Sequence, residues 1–289
     1  MACAVSITTS DILRAAGGLI GLGAVVYAWA IEPFNIQVTE REIEIPGLPD
    51  SLDGLTICHL SDLHIGGFRR LEKALVRKLS GKEVDLCLIS GDLLSSAQGI
   101  EHVGRVLSNI KARYGIYAVY GNSEHEPWTP GVPIADELGA QGIHMLINRG
   151  ERLGINGSEV LVAGVDDPFL GFDDPAAALS GGGSALLRIL IAHSPDVVRD
   201  LGDELPDLIL AGHTHGGQIR LPFIGALWLH SRHPRLGVSD GYYGPEALSR
   251  IAGRDLGQTQ MYVCRGLGGS GIRARFLCRP EIVFLTIRK

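Results

Sequence analysis

The sequence predicts an α/β fold built on one mixed sheet or on two packed sheets. Short, strongly apolar runs recur along the chain, segments with helical spacing lie between several of them, and long loops separate the later ones. Glycine is abundant, at 39 of 289 residues, which fits tight loops and close backbone approaches better than long helices. With 45% hydrophobic residues the chain can bury a full core as one large domain or two small ones.

The first element is apolar. From Ala15 to Ile31 no residue is charged, and as a helix this stretch would span roughly 26 Å, at the lower edge of what crosses a bilayer. Tyr27 and Trp29 sit near one end, as interfacial aromatics do, and Gly17 and Gly21 have the GxxxG spacing of a packing face. Ala28-Trp29-Ala30 also fits a small-x-small cleavage site, so a removable signal segment is the rival reading and a buried soluble helix a third. Because Asp11 cancels Arg14, an uncleaved anchor is the preferred expectation. Arg14 and Arg41 nearly balance across the span, which leaves its orientation open. The expected division is an anchor or signal segment over residues 1–35 and one domain over 36–289.

Residues 36–45 alternate apolar and polar, the period of a half-buried strand, until Pro46, Gly47 and Pro49 break it. Central strands are then expected at 55–60, 84–89, 116–120, 159–163, 188–192 and 207–211. Between them Leu71, Leu75, Val76 and Leu79, and again Val103, Val106, Leu107 and Ile110, recur at helical spacing. No second boundary follows, and Gly181-Gly182-Gly183 reads as a surface loop.

The net charge of -6 argues against a nucleic-acid partner, whose phosphates call for a basic surface. Five cysteines make no CxxC pair. Cys58 and Cys87 lie in apolar runs and read as core, while Cys264 and Cys278 could pair in an oxidising compartment.

Polar residues fall just beyond the apolar runs. Asp62 and His64 follow the first, Asp92 the second, Asn122 the third, His193 a later one, and His213 and His215 the next. In α/β proteins ligands gather at the carboxyl ends of strands, so these segments would converge on one cleft. Two Asp, one Asn and four His form a mixed oxygen and nitrogen set that suits Mn, Fe, Zn or Co. They are too many for one tetrahedral ion and fit two divalent ions bridged by a carboxylate, an arrangement that activates water and clamps oxygens during displacement at phosphorus.

This series, Asp62-x-His64, Gly91-Asp92, Gly121-Asn122, His193 and Gly212-His213-x-His215, resembles the calcineurin-like metallophosphoesterase superfamily. The longer text LSDLHIGG, GHTHGGQIRLP and YVCRGLGGSGIRARFLCRPEI, behind a hydrophobic N-terminus, is similar to the bacterial membrane-anchored subgroup. The resemblance implies a four-layer αββα sandwich of two mixed β-sheets flanked by helices, with a binuclear site. Asp62, His64, Asp92 and His215 would hold one metal, and Asp92, Asn122, His193 and His213 the other. A metal-bound hydroxide would then attack phosphorus in a phosphodiester or pyrophosphate.

One position departs from that pattern: the resemblance places a leaving-group histidine directly after the metal-binding Asn, where this chain has Ser123. A serine hydroxyl is no acid near neutral pH. Three readings stay open: His125 takes the role, the natural leaving group needs no acid, or the site binds metal and turns over poorly. Asp166 and Asp167 read as a turn or cap, with support of a ligating histidine as the alternative. The C-terminal arginines Arg265, Arg273, Arg275 and Arg279 read first as solvated strand-edge residues, with Arg273 and Arg275 as the candidate contacts for substrate phosphate or anionic head groups. His59 reads as core, and His230 and His233 take no role.

The functional expectation is therefore a phosphoesterase held at the cell membrane by one N-terminal segment, acting on a lipid-linked or membrane-surface substrate. Hydrolysis of the UDP-2,3-diacylglucosamine pyrophosphate bond in lipid A synthesis is the concrete alternative and needs a cytoplasm-facing domain. Cell-wall polymers or phospholipid head groups are the counterparts outside. A non-catalytic metal-binding protein that kept the fold is the alternative of another class.

Overall fold

The computed structural model describes residues 8–129, 131–232 and 237–289. The N-terminal segment forms one helix, Thr9–Ala30, about 33 Å long and apolar enough to cross a membrane. Leu19, Ile20, Leu22, Val25, Val26 and Trp29 on it are at least half exposed. The foot of this helix is docked. The Arg275 amide donates to the Ala28 carbonyl, and the buried Glu32 carboxylate accepts from the amides of Leu277 and Cys278.

Two six-stranded mixed sheets follow. In spatial order the first holds Gln37–Glu44, Glu281–Arg288, Thr56–Leu60, Leu86–Ile89, Ile116–Ala118 and Ile143–Met145. All its neighbours are parallel except Glu281–Arg288 against Thr56–Leu60. The second runs Gly241–Tyr243, Gln260–Val263, Leu208–Ala211, Leu187–Ile191, Ser158–Gly164 and Arg149–Ile155, parallel inside and antiparallel at both edges.

Alternation along the strands sorts side chains into three cores. Ile57, Leu86 and Leu88 meet Val160, Ile189 and Leu210 between the sheets. The opposite faces differ: Cys58, Leu60 and Ile89 pack under helices through Leu75, Leu79, Val103 and Val106, while Leu161, Leu190 and Met261 meet Ala178, Leu179 and Leu248. The layers are thus helix, sheet, sheet, helix, as expected. Six of the expected strands are found with shifts of a residue or two at their ends. Run 84–89 is split, since Lys82–Val84 pairs with Ile110–Ala112 in a small separate sheet. All four described cysteines, Cys58, Cys87, Cys264 and Cys278, are buried free thiols, so no disulfide joins the last two.

Candidate metal centre

Parallel strands end at the same edge of a sheet, and here both sheets end together. Asp62 and His64 follow Thr56–Leu60, Asp92 follows Leu86–Ile89, and Asn122 follows Ile116–Ala118 in the first sheet. From the second sheet His193 follows Leu187–Ile191, and His213 and His215 follow Leu208–Ala211. The turns that carry them are tightly wound. Asp62, His64, Asp92, His213 and His215 all have φ between 47° and 68°, half of the ten non-glycine residues described in that region. Such conformations are costly and persist where surrounding contacts hold them, as at functional sites.

Those contacts run between the turns. The amides of Asp62 and His64 donate to the carbonyls of Gly91 and Asp92, and the Gly212 amide to the His193 carbonyl. Glycine is required where these turns close on one another. A Cβ at Gly121 would stand 2.4 Å from Asp92 Oδ1, and one at Gly212 would stand 1.7 Å from Ser61 Oγ.

The seven residues singled out in the sequence come together as two groups. In one, His64 Nε2 lies 3.2 Å from Asp92 Oδ2, and His215 Nε2 lies 3.4 Å from Asp62 Oδ1. In the other, His193 Nε2 stands 3.4 Å from Asp92 Oδ1, 3.2 Å from Asn122 Oδ1 and 3.0 Å from His213 Nδ1. By proximity alone, Asp62 also groups with Asp92 and His193. Hydrogen bonding separates the two carboxylates. Asp62 Oδ2 accepts from Ser61 Oγ and the His213 amide, leaving only Oδ1 free to face the centre. Asp92 turns one oxygen toward each group, so it is the carboxylate placed to bridge.

The fit to metal can be tested on these atoms. Asp62 Oδ1 and His64 Nε2 are buried without a hydrogen-bond partner, as is His213 Nε2. An orphaned buried polar atom costs about 1–3 kcal/mol. Two nitrogen or oxygen atoms each about 2.1 Å from a shared ion stand roughly 3 to 3.5 Å apart, which is the spacing seen here. His193 is oriented for ligation, because its Nδ1 lies 2.8 Å from the Ser90 carbonyl and would donate there, leaving the Nε2 lone pair for the centre. The donor set therefore fits divalent transition-metal ions.

Electrostatics point the same way. Burial pushes the Asp92 carboxyl up, yet His193, His64 and the Ser123 amide together hold it below the ordinary carboxylate range. Burial leaves Asp62 above its ordinary value. Burial opposes charge on His193, but Asp92, Asp62 and Asp167 push it up to about 9. Burial first, then neighbouring histidines, keep His213 and His215 well below the usual imidazole range, hence neutral and able to donate lone pairs.

The stretch 122–125 divides its labour. Asn122 reaches the centre, while the Ser123 amide donates to Asp92 Oδ1 at 2.8 Å. Glu124, which sequence reasoning passed over, is buried and accepts from the amides of Asp92, Leu94 and Gly121 at 2.9 to 3.1 Å. Burial and the nearby Asp92 push its carboxyl up to about 8. It is the clamp that joins two ligand turns, and its signal was an acid two residues after Asn122. His125 stands apart: Nε2 lies 2.7 Å from Asp166 Oδ1, and the ring packs on Phe172 and Tyr120. Asp167 caps a turn through the amides of Phe169 and Leu170, and Phe169 lies against His213. His59 is buried behind the site against Ser90 Oγ, and His233 lies outside the described residues.

The two candidate arginines part company. Arg273 is exposed beside a cavity that also touches His64. Arg275 corrects the expectation: it is 1% exposed, and its guanidinium donates to the carbonyls of Arg265, Gly266, Gly268 and Cys278. It stands 3.4 Å from His215 Nδ1 and cannot reach a substrate from there. Arg265 pairs with Glu281, and Arg279 bonds the Asn35 carbonyl and side chain.

Residues 55–217 match the calcineurin-like phosphoesterase family, a span that holds all seven residues. The chain is 32% identical to the metallophosphoesterase YkuE of Bacillus subtilis, over 95% of this chain and 93% of that one. It is 30% identical to the phosphodiesterase YaeI of Escherichia coli, over 82% and 84% of the two chains. A UDP-2,3-diacylglucosamine pyrophosphatase, LpxG of Chlamydia muridarum, is 26% identical over 93% and 97%. With the metal-type donor set at its strand ends and these matches, the chain belongs to the calcineurin-like phosphoesterase family, and it is a metal-dependent hydrolase.

Proposed function

We propose that the chain is a binuclear phosphoesterase that hydrolyses a phosphodiester or pyrophosphate bond in a lipid-linked or membrane-surface substrate. The observation that carries this reading is the Asp92 carboxylate, with one oxygen toward His64 and the other toward His193. Asp62, His64, Asp92 and His215 would hold one ion, and Asp92, Asn122, His193 and His213 the second. Ions bound there would lower the pKa of a water and offset charge building on phosphoryl oxygens. The chain's own residues do the rest. Glu124 and the Ser123 amide fix the Asp92 and Asn122 turns, and Arg275 holds a positive charge behind His215 that adds to burial and His64 in keeping it neutral.

The candidate for the leaving-group proton is His125. Nε2 would donate to Asp166, so His125 could offer a leaving-group proton only as the imidazolium, from Nδ1. Anchoring of residues 1–35 in a membrane, with residues 36–289 as the catalytic domain, is supported by the exposed apolar helix Thr9–Ala30. Pyrophosphate hydrolysis of UDP-2,3-diacylglucosamine is the alternative substrate reading, favoured by the similarity to LpxG.

Metal content of the full-length protein, measured by elemental analysis beside Asp92→Asn, tests the centre. About two ions per chain are expected in the parent and fewer in the variant, with activity reduced by more than the roughly 100-fold that a lost supporting contact costs. Less than one ion per chain after supply of Mn, Fe and Zn would overturn the binuclear reading.

A further inference from the structure

At the foot of the N-terminal helix a cavity of about 410 Å³ opens beside His64, within the size range of about 300–1,000 Å³ typical of ligand sites. Its wall is mixed, and it includes the Glu72 carboxylate, one oxygen of which is taken up by the Arg69 amide. Trp29 and Phe34 from the helix foot face Leu71 and Leu267 from the domain, making an apolar chamber. Arg69 and Arg273 also line it, and among the described residues neither guanidinium has an ion-pair partner. Arg70, by contrast, is engaged: it donates to the Ala30 carbonyl at 2.9 Å and stacks 4.2 Å over Phe34, tying the helix foot to the domain.

A phosphate ester small enough to sit at the strand ends alone would make no use of this chamber. Its position fits an amphiphile. His64 lines the cavity, and the scissile phosphate would lie beside it. The apolar part is walled by the last turn of an apolar helix, where a membrane-resident chain would arrive. No Asn or Gln side chain stands in the wall to read the edge of a base, and two of its apolar residues are aliphatic.

We propose that this cavity is a subsite for the hydrocarbon chain of an amphiphilic phosphoester, with Arg69 and Arg273 as contacts for its anionic head group. The assignment rests on the phosphoesterase reading above and specifies which substrates that site selects. Leu71 is then a specificity residue, not a catalytic one, and the N-terminal helix supplies a wall of the binding site as well as an anchor.

The test uses full-length protein in lipid nanodiscs, supplied with Mn, Fe or Zn, and a series of n-alkyl p-nitrophenyl phosphodiesters from methyl to octyl, kept monomeric. The leaving group is constant, so differences in kcat/KM report the alkyl chain. In the parent, kcat/KM should rise with each methylene, by at most roughly fourfold per step, until the chamber is filled. Leu71→Glu should collapse the octyl-to-methyl ratio toward one, and Leu71→Met should keep it. A flat series in the parent, or a Leu71→Glu variant that slows every ester by the same factor, overturns the subsite while leaving the phosphoesterase reading intact. If no ester is hydrolysed with any of the three metals, the phosphoesterase reading itself fails and the subsite falls with it.

Discussion

In the strand-end cradle, Asp62, Asp92, His193 and His215 are all buried, the turns of Asp62, Asp92 and His215 wind through left-handed backbone, and hydrogen bonds run between the turns. In the adjoining cavity at the helix foot, Trp29 and Arg273 are exposed, apolar and charged side chains share the walls, and Arg70 bonds the helix through the Ala30 carbonyl. The two regions share His64. Holding charge at fixed points requires a rigid, over-determined frame, because a small displacement forfeits a metal contact. Accepting a flexible apolar group requires only volume and surface. The cradle should therefore fail by losing its frame, and the cavity by losing its selectivity.

The largest effect expected from a residue outside the seven is at Arg275. Arg275→Ala removes the donor shared by four carbonyls, of which that of Arg265 is half-buried and that of Gly266 also accepts from the Glu281 amide, and it removes the cation behind His215. Orphaned carbonyls cost about 1–3 kcal/mol each, so a loss of about 3 kcal/mol or more in unfolding free energy is expected, with metal affinity falling too. Arg275→Lys should rescue little, since an ammonium cannot reproduce the planar fork. Denaturant unfolding of the parent and both variants checks this. Unchanged stability would mean the frame behind His215 is carried elsewhere.

Next in size is His125. Loss of a general acid typically lowers the rate by about 100-fold or more, but only where the leaving group needs protonation. His125→Ala is thus expected to slow hydrolysis of an alkyl ester by about that factor while sparing an aryl ester. Equal slowing of both would assign His125 to loop structure through Asp166 and Phe172. In that case the acid step is dispensable here and Ser123 marks a leaving group already stable as an anion.

Much of the cradle was legible in the sequence because its chemistry demands particular residue types directly after particular strands. The helix, sheet, sheet, helix layering was implied by the family resemblance, whereas the runs alone left one mixed sheet or two packed sheets open. What escaped was set by tertiary packing. Glu281–Arg288 enters the first sheet between Gln37–Glu44 and Thr56–Leu60, and nothing local announces an insertion between strands so distant in sequence. Glu124 looked like one more loop acid, since its three amide partners come from turns that meet only in the fold. Arg275 and Arg273 are alternate residues in one arginine-rich stretch, and composition could not say which would be drawn inside. The cavity was invisible for the same reason: Trp29, Leu71 and Leu267 belong to three segments and carry no motif.

The smallest expected effect sharpens the contrast most. Arg273→Ala alters an exposed side chain, so stability should stay within about 0.5 kcal/mol of the parent. If the guanidinium meets a substrate head group, KM for an anionic amphiphilic ester should rise by about 3- to 10-fold with kcat nearly unchanged, the pattern of an interaction made equally in ground and transition states. That rise should shrink as salt is added, because an exposed contact is screened over roughly 8–10 Å at physiological ionic strength. A fall in kcat instead would place Arg273 against the reacting phosphate, drawing the cavity into the cradle's chemistry. No change in either constant would leave Arg69 as the cavity's remaining unpaired cation, and Arg69→Ala would then have to carry the same signature for the head-group contact to stand.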